Sequence, residues 1–396
     1  MRNSTSASAG KMLVVVSLAQ FLGMTLWFSA TAITPALISE YNIEPAHAAW
    51  LTMAVQAGFV AGTLISAVAN LADVLNARVL MFLGAIVGAL TNAAVLAAPN
   101  GASVIALRFV TGTALALVYP PGMKIIAGWF RDGRGLALGV LIGALTLGKA
   151  FPHLLTALFG ADWRQPMMLV SALAAIGGTL VMLIVRDGPY VAATAPFDPH
   201  AIRKVLASRG ARLAVFGYLG HMWELYAMWT WVAVFAAASF AASGVANAAA
   251  AGSVAAFLAI GSGAAGCVLA GYIADRVGKA RVAMWAMLAS AASAAATIIV
   301  FGRSPIALYA LIIFWGFAVV ADSAQFSALV SEHAPRDHVG TALTLQTCVG
   351  FLLTMVTIEA LPRVAQATSW QWASLLLVPG PLFGALAMSR LKDRIV

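Results

Sequence analysis

The stretch Gly271-Tyr272-Ile273-Ala274-Asp275-Arg276-Val277-Gly278-Lys279-Ala280-Arg281 is a charged island between long apolar runs. A worn copy, Asn70-Leu71-Ala72-Asp73-Val74-Leu75-Asn76-Ala77-Arg78, lies about two hundred residues earlier, again between apolar runs. In each, an acid is followed within a few residues by a base. Two such islands at matching places mark an internal repeat, and the rest of the chain is read relative to them.

Composition identifies what surrounds the islands. Of 396 residues, 62% are hydrophobic and 9% charged, where a soluble domain carries about 25% charged residues. So few charges cannot clothe a water-facing surface, so the lipid bilayer is the partner of most of the chain. The net charge is +9, but the bases are scattered through short loops with no continuous patch. Membrane topology accounts for them, and nucleic acid is not an expected partner. Cys267 and Cys348 lie inside apolar runs and read as small buried hydrophobes, with no disulfide framework. No phosphate-cradling Gly-x-x-x-x-Gly-Lys-Ser/Thr loop and no nucleophile constellation occurs, and His and Met are scattered. The expectation is a chain that is not an enzyme and holds no cofactor or metal.

A membrane span takes about 20 apolar residues and must be helical, because backbone groups cannot stay unpaired in lipid. Twelve spans are predicted: 11–38, 46–70, 78–98, 101–128, 134–159, 165–186, 212–240, 246–272, 280–302, 305–331, 338–362 and 370–390. Residues 1–10 are polar and predicted to be a disordered cytoplasmic tail. The one long separator, 187–211, is predicted to be a cytoplasmic linker between six-helix bundles at 11–186 and 212–396. With both termini cytoplasmic, the inner loops and tails hold 17 Lys and Arg residues and the outer loops only 3 (Arg164, Arg303 and Arg363). That imbalance sets the orientation. The repeat also holds at finer grain: Asp73 to Gly135 is 62 residues and Asp275 to Gly340 is 65. The fold class is therefore an all-α membrane protein of two pseudo-symmetric six-helix bundles.

The island at Gly271, Asp275, Arg276, Gly278, Lys279 and Arg281 resembles the Gly-x-x-x-Asp-Arg-x-Gly-Arg/Lys loop of the major facilitator superfamily, between the second and third helices of a half. In the first island Asn70 stands for the opening Gly and Val74 for the first base, so Asp73 and Arg78 carry the likeness there. The resemblance implies a secondary transporter whose halves rock about a midplane cavity in alternating access. It also implies a cytoplasmic gate at Asp73, Arg78, Gly271, Asp275, Arg276 and Arg281. Helices 1, 4, 7 and 10 line the cavity in that superfamily, which gives weight to Gln20 and Trp27.

Charged residues within spans are costly and mark functional sites by default. Arg108, in Arg108-Phe-Val-Thr-Gly112, resembles a helix-4 motif of proton-linked members, where the arginine serves proton transfer or substrate-charge recognition. The competing reading is an Arg tied to helix carbonyls. Lys149 lies about 22 Å along its helix, at about 1.5 Å per residue. It suits an anion contact, against a Lys–acid pair that locks two helices. His153 follows four residues on, on the same face. Tyr119-Pro120-Pro121-Gly122 must interrupt its helix, as a static kink or as a binding element.

The seventh span is the most polar, with His221, Trp223, Glu224, Tyr226 and Trp229. Glu224 near mid-membrane reads as a proton carrier, with His221 three residues before it and Asp322 in the tenth span as partners in coupling. The aromatics Trp223 and Tyr226 suit a cavity wall; packing is the competing reading. Gly139-x-x-x-Gly143 with Gly148 predicts close approach by the fifth helix. Ala144 replaces the proline of the superfamily's drug-antiporter motif there.

The favoured function is proton-coupled symport or antiport of a small organic anion across the cytoplasmic (inner) membrane, with Lys149, Arg108, Gln20, Trp27, Tyr119, His153, Trp223 and Tyr226 at the substrate. The alternative is proton-driven efflux of amphipathic or cationic compounds. A non-transporting receptor or enzyme on the same scaffold is a further class, disfavoured by the missing nucleophile constellation. The partners are a small-molecule substrate, protons and lipid, and a monomer suffices.

Overall fold

The computed structural model describes residues 2–44, 47–131, 133–160, 162–190, 198 and 202–391, with the side chains of 2–7, Ala72, Asp73 and Arg336 excepted. The described residues are helices and turns, with no strand among them. They form two compact units, Met1–Leu155 with Ala161–Pro196, and Phe197–Val396 with Thr156–Gly160. Among the described residues eleven helices are long and apolar enough to cross a membrane, and the shorter apolar helix Ser8–Met24 opens the remaining span. Large apolar side chains such as Leu183, Ile306 and Val68 stand exposed on the helix flanks, as lipid-facing surfaces require.

In the first unit the opening span is in three pieces: α1 (Arg2–Met24), α2 (Ser29–Ala32) and α3 (Thr34–Tyr41). Residues 2–10, expected as a disordered tail, continue α1 as helix; a Ser/Ala-rich stretch without proline contains nothing to stop it. The break after Met24 is local chemistry. Thr25 and Ser29 donate their hydroxyls back to the Leu22 and Leu26 carbonyls, competing with the helix ladder. The following spans are α4 (Trp50–Val68), the short α5 (Leu71–Val74), α6 (Ala77–Ala94), α7 (Gly101–Leu115) with α8 (Tyr119–Trp129), α9 (Arg134–Phe159) and α10 (Arg164–Ile184). Pro120 and Pro121 supply no N–H for the Ala116 and Leu117 carbonyls, and the helix parts there into α7 and α8.

The second unit holds α11 (Ile202–Ala207), within the predicted linker, then α12 (Arg209–Ala242), α13 (Ala248–Val277), α14 (Lys279–Val300), α15 (Pro305–Ala321) with α16 (Ser323–His333), α17 (Val339–Ala367), α18 (Trp370–Ala373) and α19 (Pro379–Ser389). α17 runs through Pro362, where the sequence predicted its end. α12 is unbroken over 34 residues, unlike the three-piece span that opens the first unit. The units share one packing device. α4 lies against α7 and α13 against α15, because Gly112 meets the Val55 backbone and Gly316 the Ala259 backbone where a Cβ would not fit.

Candidate functional site

In the first unit the breaks bring three helices to one polar centre. Arg108 on α7 is fully buried. One terminal nitrogen donates to the Leu26 and Trp27 carbonyls at 2.9 and 2.7 Å. The other donates to Ser29 Oγ at 3.0 Å and Asn92 Oδ1 at 2.7 Å. The guanidinium thus binds the carbonyls freed by the break after α1, through its planar fork. These are the contacts expected of the helix-tying reading, and both terminal nitrogens are engaged in them. Asn92, which the sequence reading passed over, continues the network to Ser171 Oγ at 2.9 Å. Its only sequence signal is a lone amide in an apolar run.

Trp27 lies edge-on to Phe59 and carries the Lys149 ammonium 4.1 Å from its ring centroid. Lys149 is 4% exposed. Cation–π contact is strongest where the cation is desolvated, as here. His153, one turn along α9, packs on Phe28, and neither ring nitrogen has a hydrogen-bond partner among the described residues. α9 reaches α1 because Gly148 abuts the Phe21 carbonyl, whereas Gly139 meets nothing within 4 Å. Of the glycines predicted to bring the fifth helix close to a neighbour, Gly148 makes such an approach and Gly139 does not. Gln20 is buried with its amide unpartnered among the described residues, against Gly122 of α8, where a Cβ would stand 2.6 Å from its Oε1. Tyr119 opens α8, half-buried. Lys149 and Trp27 are thus together, with His153 one turn along α9 against Phe28; Arg108 reaches Trp27 at its backbone carbonyl.

In the second unit Glu224 is 1% exposed and accepts the indole N–H of Trp315 at 2.7 Å. One turn earlier on α12, His221 Nδ1 lies 2.8 Å from Asp322 Oδ1, and its Nε2 lies 3.0 Å from Ser323 Oγ. Trp315 and Ser323 were not singled out from sequence. Trp315 precedes Asp322 by seven residues, two helical turns, so both face α12. Trp223 spends its indole N–H on the Leu376 carbonyl, and Tyr226 packs on Trp229 and Phe351. A small apolar pocket opens between Met228, Trp231, Phe235, Trp315 and Trp370. Trp315 therefore touches both the pocket and Glu224.

The islands are built differently in the two units. Asn70 adopts left-handed backbone at φ 49°, which Asn tolerates nearly as Gly does. Asn76 caps α6 and donates to Asp187 at 2.8 Å, while Arg78 pairs with Asp187 and donates to the Val185 carbonyl. The Asp73 side chain lies outside the described residues. In the second island Lys279 pairs with Glu332 at 2.7 Å and Arg276 lies over the Tyr272 ring at 3.6 Å. Asp275 and Arg281 are exposed, and nothing crowds Gly271.

A sequence profile of the Major Facilitator Superfamily matches residues 16–358 and 246–394. Over 180 residues the chain is 27% identical to pytF, an MFS-type transporter of Aspergillus terreus; the match covers 44% of this chain and 58% of that relative's length. A solved structure of a mutant of the nucleoside transporter NupG is similar at TM-score 0.72 and 15% identity, over 96% of this chain and 100% of that one.

Proposed function

The chain belongs to the Major Facilitator Superfamily, and from that premise we propose that this multi-pass membrane transporter moves a small organic anion coupled to protons, by alternating access. The observation that carries the coupling is Glu224, a buried carboxyl whose indole partner is neutral and leaves it able to take up and release a proton. Lys149, with Trp27 and His153, is the anion contact. Arg108 holds that contact in place through Trp27. The distribution of bases supports a cytoplasmic membrane location with both termini inside, and the two islands act as the cytoplasmic gate.

The test is transport in proteoliposomes under an imposed pH gradient, with a panel of carboxylates and lipophilic cations. Carboxylate movement driven by the gradient, and lost in Glu224→Gln, is the expected result. Undiminished gradient dependence in Glu224→Gln overturns the coupling. A second reading, efflux of amphipathic or cationic compounds, is favoured by the aromatic pocket beside Trp315. Movement of the cations but not the carboxylates decides for it.

A further inference from the structure

His221 contacts two consecutive residues of the tenth span, Asp322 and Ser323. Neighbouring side chains on an unbroken helix point about 100° apart. Here Asp322 closes α15 and Ser323 opens α16, and the interruption lets both reach one imidazole. Ser323 Oγ lies 3.0 Å from Nε2, and Asp322 Oδ1 makes a 2.8 Å ion-pair contact with Nδ1 that rotation of the carboxyl brings into line for proton transfer. His221 and Asp322 are each 2% exposed, while Ser323 is half-buried and alone of the three reaches the surface of its unit.

We infer that Ser323, His221 and Asp322 form a proton relay, with Ser323 as the entry, that serves the buried acid Asp322, its imidazole lying one turn from Glu224 on α12. The relay rests on the coupling role proposed for Glu224. In the inward step the Ser323 O–H bond breaks as H–Nε2 forms, and a hydronium ion at the surface gives a proton to the serine oxygen and is left as water. The Nδ1–H bond then breaks as H–Oδ1 forms, leaving a neutral imidazole of the opposite tautomer. The reverse sequence releases the proton and restores the tautomer. A serine hydroxyl suits the entry because it donates and accepts at one atom. The other titratable groups facing this centre are Glu224 on the same helix, whose carboxyl feels the Asp322 charge, Tyr218, whose ring centre is 6.0 Å from that of His221, and Cys267 of α13 near Asp322. Ser323 is the half-buried group with a hydrogen-bonding atom on the imidazole itself.

The test needs no substrate. Protein in detergent is mixed with acid against a pH-indicator dye in a stopped-flow instrument, and the rate and amplitude of proton uptake are read. Ser323→Ala is expected to slow uptake at least tenfold at unchanged amplitude. Ser323→Thr, which keeps the hydroxyl, returns to within twofold of the parent rate. A parent-like rate in the Ala variant, or a lowered amplitude in place of a lowered rate, overturns the relay. Glu224→Gln tests the underlying reading separately, since it lowers the amplitude if Glu224 carries the proton. An unchanged amplitude there refutes the carrier while the Ser323 rates still judge the relay.

Discussion

Arg108 donates to the Trp27 carbonyl at 2.7 Å, so the arginine of the fourth span fixes the residue whose ring carries the Lys149 ammonium. Without the guanidinium, buried carbonyls at Leu26 and Trp27 lose charged donors in a place water does not reach. Arg108→Ala is expected to lower unfolding stability by on the order of 3 kcal/mol, from the cost of unsatisfied buried acceptors. Arg108→Lys recovers only part, because one ammonium cannot reproduce the fork. Thermal and denaturant unfolding in detergent measures both; a stable Arg108→Ala protein contradicts the clamp.

Lys149 makes the opposite prediction. A desolvated ammonium kept for substrate costs the fold stability, whereas one kept as a tie supports it. Lys149→Met is expected to leave stability unchanged or raised while cutting carboxylate transport at least tenfold, equivalent to about 1.4 kcal/mol. A stability loss above about 2 kcal/mol with transport intact would assign the lysine to structure.

The matched glycines test whether the two units are held alike. At Gly112 and Gly316 a methyl group would meet backbone of the neighbouring helix, and backbone cannot yield as a side-chain tip can. Each Gly→Ala change is expected to cost on the order of 2 kcal/mol, the scale of core overpacking. Gly139→Ala, with nothing within 4 Å, gains up to about 1 kcal/mol from helix propensity. Equal effects at all three positions would refute the assignment of the first two to helix contact.

What the sequence made legible was set by local chemistry. The spans follow from apolar length, and the α7–α8 break from Pro120-Pro121, which removes donors whatever the surroundings. The break after Met24 has local ingredients in the Thr25 and Ser29 hydroxyls, which many unbroken helices also carry, and what completes it, the Arg108 guanidinium on the Leu26 and Trp27 carbonyls, comes from about eighty residues away. Charge within an apolar span marks Lys149, Glu224 and Asp322 in the sequence itself. Their neutral partners, Trp315, Ser323 and Asn92, look in sequence like ordinary packing or spacing residues. Only tertiary distance separates Trp315 from the other tryptophans.

Trp315 is also where pocket and carboxyl can be separated experimentally. Phenylalanine keeps an aromatic wall for the pocket and removes the N–H that Glu224 accepts. Trp315→Phe is expected to cost about 1–3 kcal/mol, the range for a hydrogen bond to a buried acid. The cost should persist in Glu224→Gln, whose amide oxygen still accepts. It should vanish in Glu224→Leu, where the indole N–H has lost its acceptor and its removal becomes neutral or favourable. The coupling energy from that double-mutant cycle isolates the bond from the packing of the ring. If Trp315→Phe costs the same with Leu at position 224 as with Glu, the indole contributes through volume alone, and the pocket and Glu224 are not linked through Trp315.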